Sequence, residues 1–196
     1  MTFHFPATLI HWLLVGSSAA TVLFFAGGLT LYFERSPRPV WVLLIHYASV
    51  VLSVIQVALM FIFPTRPDPF VAVAIAMYTA AILLFLSAIE AANRSRLRLQ
   101  RSFVDYPLPD RLITDGPYRW VRHPFGVGYL LATLATPIAI DHWLPLLIAA
   151  PLVAFVIAAA VREEQVWLSS PARSEEYRQY RRKTGMFIPF IGRDVR

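Results

Sequence analysis

Five long apolar stretches, separated by short polar or proline-bearing gaps, set the pattern of this chain: about Ala7 to Phe33, Val40 to Phe63, Phe70 to Ala92, Phe125 to Ile140 and Trp143 to Val161. Stretches of this kind suit helices that cross a hydrocarbon core of about 30 Å. In lipid the backbone must satisfy its own hydrogen bonds, and a helix does so within one segment. The pattern therefore predicts an all-α integral membrane bundle of about five transmembrane helices. Pro37 and Pro39 before the second stretch, and Pro64, Pro67 and Pro69 after it, punctuate turns. The last two stretches are separated only by Asp141-His142, which implies an antiparallel helical hairpin. Beyond them, about Pro171 to Lys183 reads as an amphipathic helix whose Tyr177 and Tyr180 are expected to anchor at the membrane interface. Gly16, Ala20, Gly27 and Gly28 are expected to permit close helix packing.

The chain reads as a single membrane domain over 1–196. Residues 1–93 supply three transmembrane helices, 94–124 a cytosolic connector, 125–162 the hairpin and 163–196 a cytosolic tail. Composition agrees, with 57% hydrophobic and 15% charged residues and a mean hydropathy of +0.56, values that separate it from soluble domains. Arg35 and Arg38, the connector from Arg94 to Arg122, and the tail from Arg162 to Lys183 hold most of the basic residues near the membrane. The intervening loops hold only Arg66 with Asp68, and Asp141 with His142. The bias places the amino terminus outside and the carboxyl terminus in the cytoplasm, as expected for a bacterial inner-membrane protein. The flank Met1-Thr2-Phe3-His4-Phe5-Pro6 has no Lys or Arg, which argues against a signal peptide. The net charge of +6 lies beside membrane ends, which favours membrane lipids as partners over nucleic acid. Without cysteine there are no disulfides or thiol nucleophiles. His4, His11, His46 and His142 are scattered, and no metal site is expected.

The polar constellation is Gly116-Pro117-Tyr118-Arg119-Trp120-Val121-Arg122-His123-Pro124, followed one hairpin later by Glu163-Glu164. Gly116-Pro117 reads as a turn, and Pro124 suits a first helical position. His123 is thus held just ahead of a helix start, where an anion is favoured, and Arg122 offers a bidentate donor to a carboxylate. Glu163 and Glu164, emerging from the end of the fifth helix, are placed to receive an ammonium group. A zwitterionic amino-acid moiety fits that pairing, with Tyr118, Trp120 and Phe125 as π faces. Taken singly, Arg122-His123 also reads as an interfacial pair that caps a helix, and Glu163-Glu164 as a solvated pair beyond a span.

The ordered set Leu112-Ile113-Thr114, Gly116-Pro117-Tyr118, Arg122-His123-Pro124, Gly128, Glu163-Glu164, Glu176-Tyr177, Tyr180 and Ile188-Pro189 resembles the isoprenylcysteine carboxyl methyltransferase family and the related phospholipid methyltransferases. The resemblance covers roughly Leu112 to Phe190. It implies an S-adenosylmethionine-dependent enzyme with a cytosol-facing cofactor pocket and a lipophilic acceptor arriving from the membrane. Leu112, Ile113, Tyr118, His123, Pro124 and Glu164 would bind the cofactor, with Glu164 and neighbouring Glu163 at its amino end. Arg122 would hold a carboxylate and, with Glu163, form the catalytic pair. The family pattern Arg-His-Pro-x-Tyr-x-Gly is broken at Gly126, so either Tyr129 compensates or the site admits a different acceptor. An isoprenylcysteine-like carboxylate is the first expected acceptor. It is already ionised, whereas a phospholipid amine would need Glu163 or His123 as a base and a small thiol would need thiolate stabilisation. A nicotinamide-dependent sterol or isoprenoid reductase and a non-catalytic membrane subunit are the other readings.

Overall fold

The computed structural model describes residues 9–31, 40–94 and 111–189, with side chains described over 9–27, 47–94 and 111–189. Within them run α1 (Leu9–Leu31), α2 (Val40–Ile62), α3 (Asp68–Arg94), α4 (Pro124–Ala139), α5 (Leu144–Ser169) and α6 (Ser174–Lys183). A helical membrane bundle is therefore what the apolar pattern encodes. Helices α1, α3 and α5 each carry a span long and apolar enough to cross a membrane. The expected signal-peptide test on residues 1–6, His4, Arg35, Arg38, and the membrane exit over 95–101 all lie outside the described residues.

Each boundary has a local cause. Helix α3 starts at Asp68 and ends at Arg94, so an acid meets the positive end of the helix dipole and a base the negative end. Glu90, one turn earlier, pairs with Arg94 on the exposed surface. Helix α4 starts at Pro124, whose missing N–H is needed by no carbonyl there. Helix α5 runs to Ser169, eight residues past the expected end at Val161. At 1.5 Å per residue its 26 residues extend about 39 Å, beyond the hydrocarbon thickness. Glu163 and Glu164 therefore sit inside the last turns of a helix, not in a segment beyond it, and their spacing on its face is fixed.

The bundle is organised around α3, which packs against α1 and α4, with α5 against α4. One buried cluster joins Leu14, Met60, Val71, Ala74, Tyr78, Ala135, Ala139 and Ile140. The other, nearer the polar motif, joins Phe25, Ala81, Phe85, Ile89 and Ala92. Helices α3 and α4 approach closely at Gly128, where a Cβ would lie 3.3 Å from the Ala81 carbonyl oxygen. The expectation that α1 supplies close-packing glycines is not met among the described residues: added Cβ atoms at Gly16 and Gly27 would meet none of them within 4 Å, and Ala20 is exposed. The side chain position of residue 28 lies outside those described. Small residues promote contact only where a neighbouring backbone reaches them.

Two polar devices fix the bundle. Inside it, the Ser18 hydroxyl donates to Tyr78 Oη at 3.1 Å, and Tyr78 Oη lies 2.6 Å from the Thr136 hydroxyl, linking α1, α3 and α4. At the end opposite the motif, the Arg66 N–H donates to the Ala139 carbonyl at 2.7 Å and the Asp141 N–H to that of Pro64 at 3.0 Å. His142 stacks on Phe63 there, 3.9 Å between centroids.

Candidate functional site

At the other end of the bundle three segments meet: the motif between residues 112 and 124, the last turns of α5, and the chain from α6 to Phe187. Gly116 has φ +58, a conformation that favours glycine, and opens a 3-10 turn over Gly116–Arg119. That turn lays the chain against the end of α3, since a Cβ at Gly116 would lie 3.1 Å from that of Ala91. The tail then pairs with the motif backbone. The Arg122 N–H donates to the Gly185 carbonyl at 2.8 Å, His123 N–H to that of Met186 at 3.2 Å, and Gly185 N–H to that of Trp120 at 3.2 Å.

A buried ionic cluster lies beneath this clamp. Arg122 Nε donates to Glu164 Oε1 at 2.7 Å, and the two side chains are only 6% and 7% exposed. Arg122 Nη1 donates to the Arg181 carbonyl at 3.4 Å and to the Thr184 carbonyl. Arg181 Nε reaches Glu164 Oε2 at 3.2 Å. His123 lies between the two acids, Nε2 3.3 Å from Glu164 Oε1 and Nδ1 3.7 Å from Glu163 Oε2. Glu164 is enclosed, whereas the Glu163 side chain keeps 38% exposure and so forms the accessible acid of the pair.

Aromatic packing supports the cluster from below. Tyr180 Oη donates to the Tyr118 carbonyl at 2.7 Å, and Trp167 stacks on Tyr177 with centroids 5.5 Å apart. Tyr177 and Tyr180 are buried, so the expected interfacial anchors instead face inward and hold α6 to α5. Burial pushes the phenols of Tyr118, Tyr177 and Tyr180 well above the usual tyrosine range, with the charge of Glu163 adding to the rise at Tyr118. All three stay neutral at physiological pH, and Tyr180 uses its hydroxyl as a donor rather than a base.

The sequence-derived residues separate into groups. Arg122, His123, Glu163 and Glu164 converge, Pro124 is buried at the start of α4, and Tyr118 lies in the adjoining turn. Leu112 packs on the Trp167, Tyr177 and Tyr180 cluster, while Ile113 packs with Phe25 and Phe85. Trp120 is 56% exposed with the Arg119 guanidinium over its ring, and Phe125 packs edge-on against Phe85. Tyr129 packs against Phe25, centroids 4.7 Å apart. The ring beside Gly126 is instead Phe187: a Cβ at 126 would meet Phe187 Cε1 at 2.9 Å. Sequence reasoning missed Arg181, Thr184 and Phe187. Tyr177, Tyr180 and Arg181 on one face of α6, with Thr184 just past its end, recur at helical spacing, a signal that was present; Phe187 gave none.

Fold and site together define a class: a polytopic helical membrane protein with a buried ionic centre at one end of its bundle, closed by its own tail. The phospholipid methyltransferase family model matches residues 69–171, over half of the chain, and the chain belongs to that family. Three curated relatives are similar over shorter stretches. Methanethiol S-methyltransferase of Mycobacterium tuberculosis is 38% identical over 74 residues, 37% of this chain and 28% of that protein. Methanethiol S-methyltransferase of Crocosphaera subtropica is 36% identical over 86 residues, 43% of this chain and 32% of that one. Protein-S-isoprenylcysteine O-methyltransferase of Schizosaccharomyces pombe is 31% identical over 80 residues, 41% and 34% respectively. The chain thus matches about a third of the length of these relatives.

Proposed function

We propose that the protein is an S-adenosylmethionine-dependent methyltransferase of the cytosolic membrane surface, acting on a small lipophilic thiol. Family membership supports the methyl transfer, and the donor chemistry of the site fits the cofactor. Glu164 accepts from Arg122, His123 and Arg181, whereas a carboxylate offers about four lone-pair positions, so one remains for an ammonium group. Glu163, half-exposed beside it, adds a second acid at the mouth.

The observation that carries the choice of acceptor is the engagement of Arg122. Its Nε and Nη1 are spent on Glu164, Thr184 and Arg181, which makes it a residue that positions Glu164 and not the receiver of an acceptor carboxylate. The accessible acid is Glu163, backed by the enclosed His123; a carboxylate there disfavours an anionic acceptor and suits one that must lose a proton. Two of the relatives carry methanethiol in their names. The isoprenylcysteine carboxylate remains a second reading, favoured by the Arg181 guanidinium, 43% exposed at the site's edge.

Bound S-adenosylmethionine supplies a methyl already activated on a sulfonium, so the chain mainly has to align the acceptor and exclude water. The thiol proton leaves to Glu163 Oε2, with His123 Nδ1 3.7 Å away to share it. The ion-paired Glu164 fixes the opposite side of the imidazole. Leu112, Ile113 and Tyr118 serve here by shaping the floor and turn from which His123 and Pro124 project.

Titration of S-adenosylhomocysteine into detergent-purified protein, followed by a labelled-methyl assay with methanethiol, tests the reading. Glu163→Gln is expected to keep S-adenosylhomocysteine binding, weakened no more than a few-fold because Glu164 remains, and to lose turnover by about a hundredfold, the usual worth of a positioned base. No binding to the wild type, with stabilisation by a nicotinamide dinucleotide instead, would transfer the protein to the reductase class.

A further inference from the structure

The family pattern puts an aromatic ring on α4 at position 126, yet this chain has none there, and the structure shows what stands in its place. A Cβ at Gly126 would lie 2.9 Å from Phe187 Cε1, 3.5 Å from its Cδ1 and 3.4 Å from His123 Cβ. Contacts under 3.0 Å force something to move, so Gly126 and the Phe187 ring are mutually dependent: the ring sits there because 126 has no side chain. Its centroid lies 5.8 Å from that of His123, tilted by 45°. The ring therefore flanks the imidazole whose Nδ1 faces Glu163.

Phe187 is also held in place. Its neighbours Gly185 and Met186 accept hydrogen bonds from the Arg122 and His123 backbones, and the Thr184 carbonyl accepts from the Arg122 side chain. The residue is half-buried, with one ring edge on α4 at Gly126. A thiol that brings its sulfur to the His123 imidazole has this ring as a neighbour, 5.8 Å from the imidazole centroid.

We infer that Phe187 is the specificity-determining wall of the acceptor site, set in the space left by Gly126, and that it restricts the acceptor to short alkyl thiols. The inference rests on the methyltransferase reading above and deepens it. A wall carried by the tail differs from one carried by α4: its position follows the backbone clamp on Arg122 and His123, so the tail determines which acceptors enter.

The test compares methanethiol, butanethiol and hexanethiol as acceptors for the wild type, Phe187→Ala, Phe187→Leu and the pair Gly126→Tyr with Phe187→Ala, with S-adenosylhomocysteine affinity measured for each. In Phe187→Ala the KM for hexanethiol is expected to fall about tenfold relative to that for methanethiol, the scale on which an apolar pocket discriminates by size. Phe187→Leu should fall between, and Gly126→Tyr in the Phe187→Ala background should restore the preference for short chains. Unchanged selectivity in Phe187→Ala with intact S-adenosylhomocysteine binding would overturn the wall and leave the methyltransferase standing. A wild type that binds S-adenosylhomocysteine but turns over none of the thiols would overturn the thiol reading and the wall with it.

Discussion

Replacing Arg122 by methionine separates the structural work of the ionic cluster from its functional work. The Arg122 to Glu164 contact is 2.7 Å between side chains 6% and 7% exposed. At an effective dielectric of about 20 that separation corresponds to a gross attraction of about 6 kcal/mol. Most of this offsets the desolvation of the two ions, and removing one partner of a buried pair costs roughly 3–5 kcal/mol because the other is left behind. Here Arg181 remains 3.2 Å from Glu164, so Arg122→Met is expected at the lower end, about 3 kcal/mol. For a chain of this size that lowers Tm by on the order of 10 °C. The double variant Arg122→Met with Glu164→Leu leaves no stranded buried charge, since Arg181, which also loses Glu164, is 43% exposed and solvated, and should recover most of the loss. Thermal unfolding in detergent reads the stability, and titration with S-adenosylhomocysteine reads the site. The double variant should be stable and unable to bind. A double variant as unstable as the single one would refute the stranded-charge argument; one that is stable and binds normally would refute the place of Glu164 in the cofactor site.

Three further outcomes follow from the packing. Tyr180→Phe removes the hydroxyl that donates to the Tyr118 carbonyl, costs about 1 kcal/mol, and should speed amide exchange across residues 116–120; unchanged exchange there would dissociate α6 from the motif turn. Gly128→Val, with its Cβ forced to within 3.3 Å of the Ala81 carbonyl, should drive α3 and α4 apart and lower Tm sharply. Gly16→Ala, where nothing lies within 4 Å, should be neutral or stabilise by about 0.5–1 kcal/mol, and the reverse ranking in thermal unfolding would contradict the assigned helix contact.

Apolar length made the helices legible, because a membrane span must be both apolar and internally hydrogen-bonded. The end of α5 was not, since Arg162, Glu163 and Glu164 look like an exit from the membrane, while the helix continues beneath them to pair with Arg122 and α6. Arg122, His123, Glu163 and Glu164 were legible as a cluster from their charge in an apolar setting. Their mutual pairing was not, because side-chain identity alone does not distinguish a cation that waits for a ligand from one that binds its own acid. Tyr177 and Tyr180 show the same ambiguity. An amphipathic helix presents its apolar face to lipid or to protein by the same periodicity, and only the presence of Trp167 decides which. Phe187 was invisible because its significance arises from a missing side chain on another helix.

The hydroxyl relay from Ser18 through Tyr78 to Thr136 has a mechanical consequence. It sets the rotational phase of α1, α3 and α4 relative to one another, in a medium where a hydroxyl that lets go finds no water to replace its partner. Those three helices behave as a stator. Helix α5, which carries the two acids and lies outside that relay, is tied to the bundle by other means: the Gln56 amide donates to the Pro145 carbonyl near its start, and Glu164 pairs with Arg122 near its end. The register of the two acids against the motif is therefore set by the ionic cluster itself and not by the relay, so a change in the cluster can shift Glu163 and Glu164 while the packing of the other three helices stays in place.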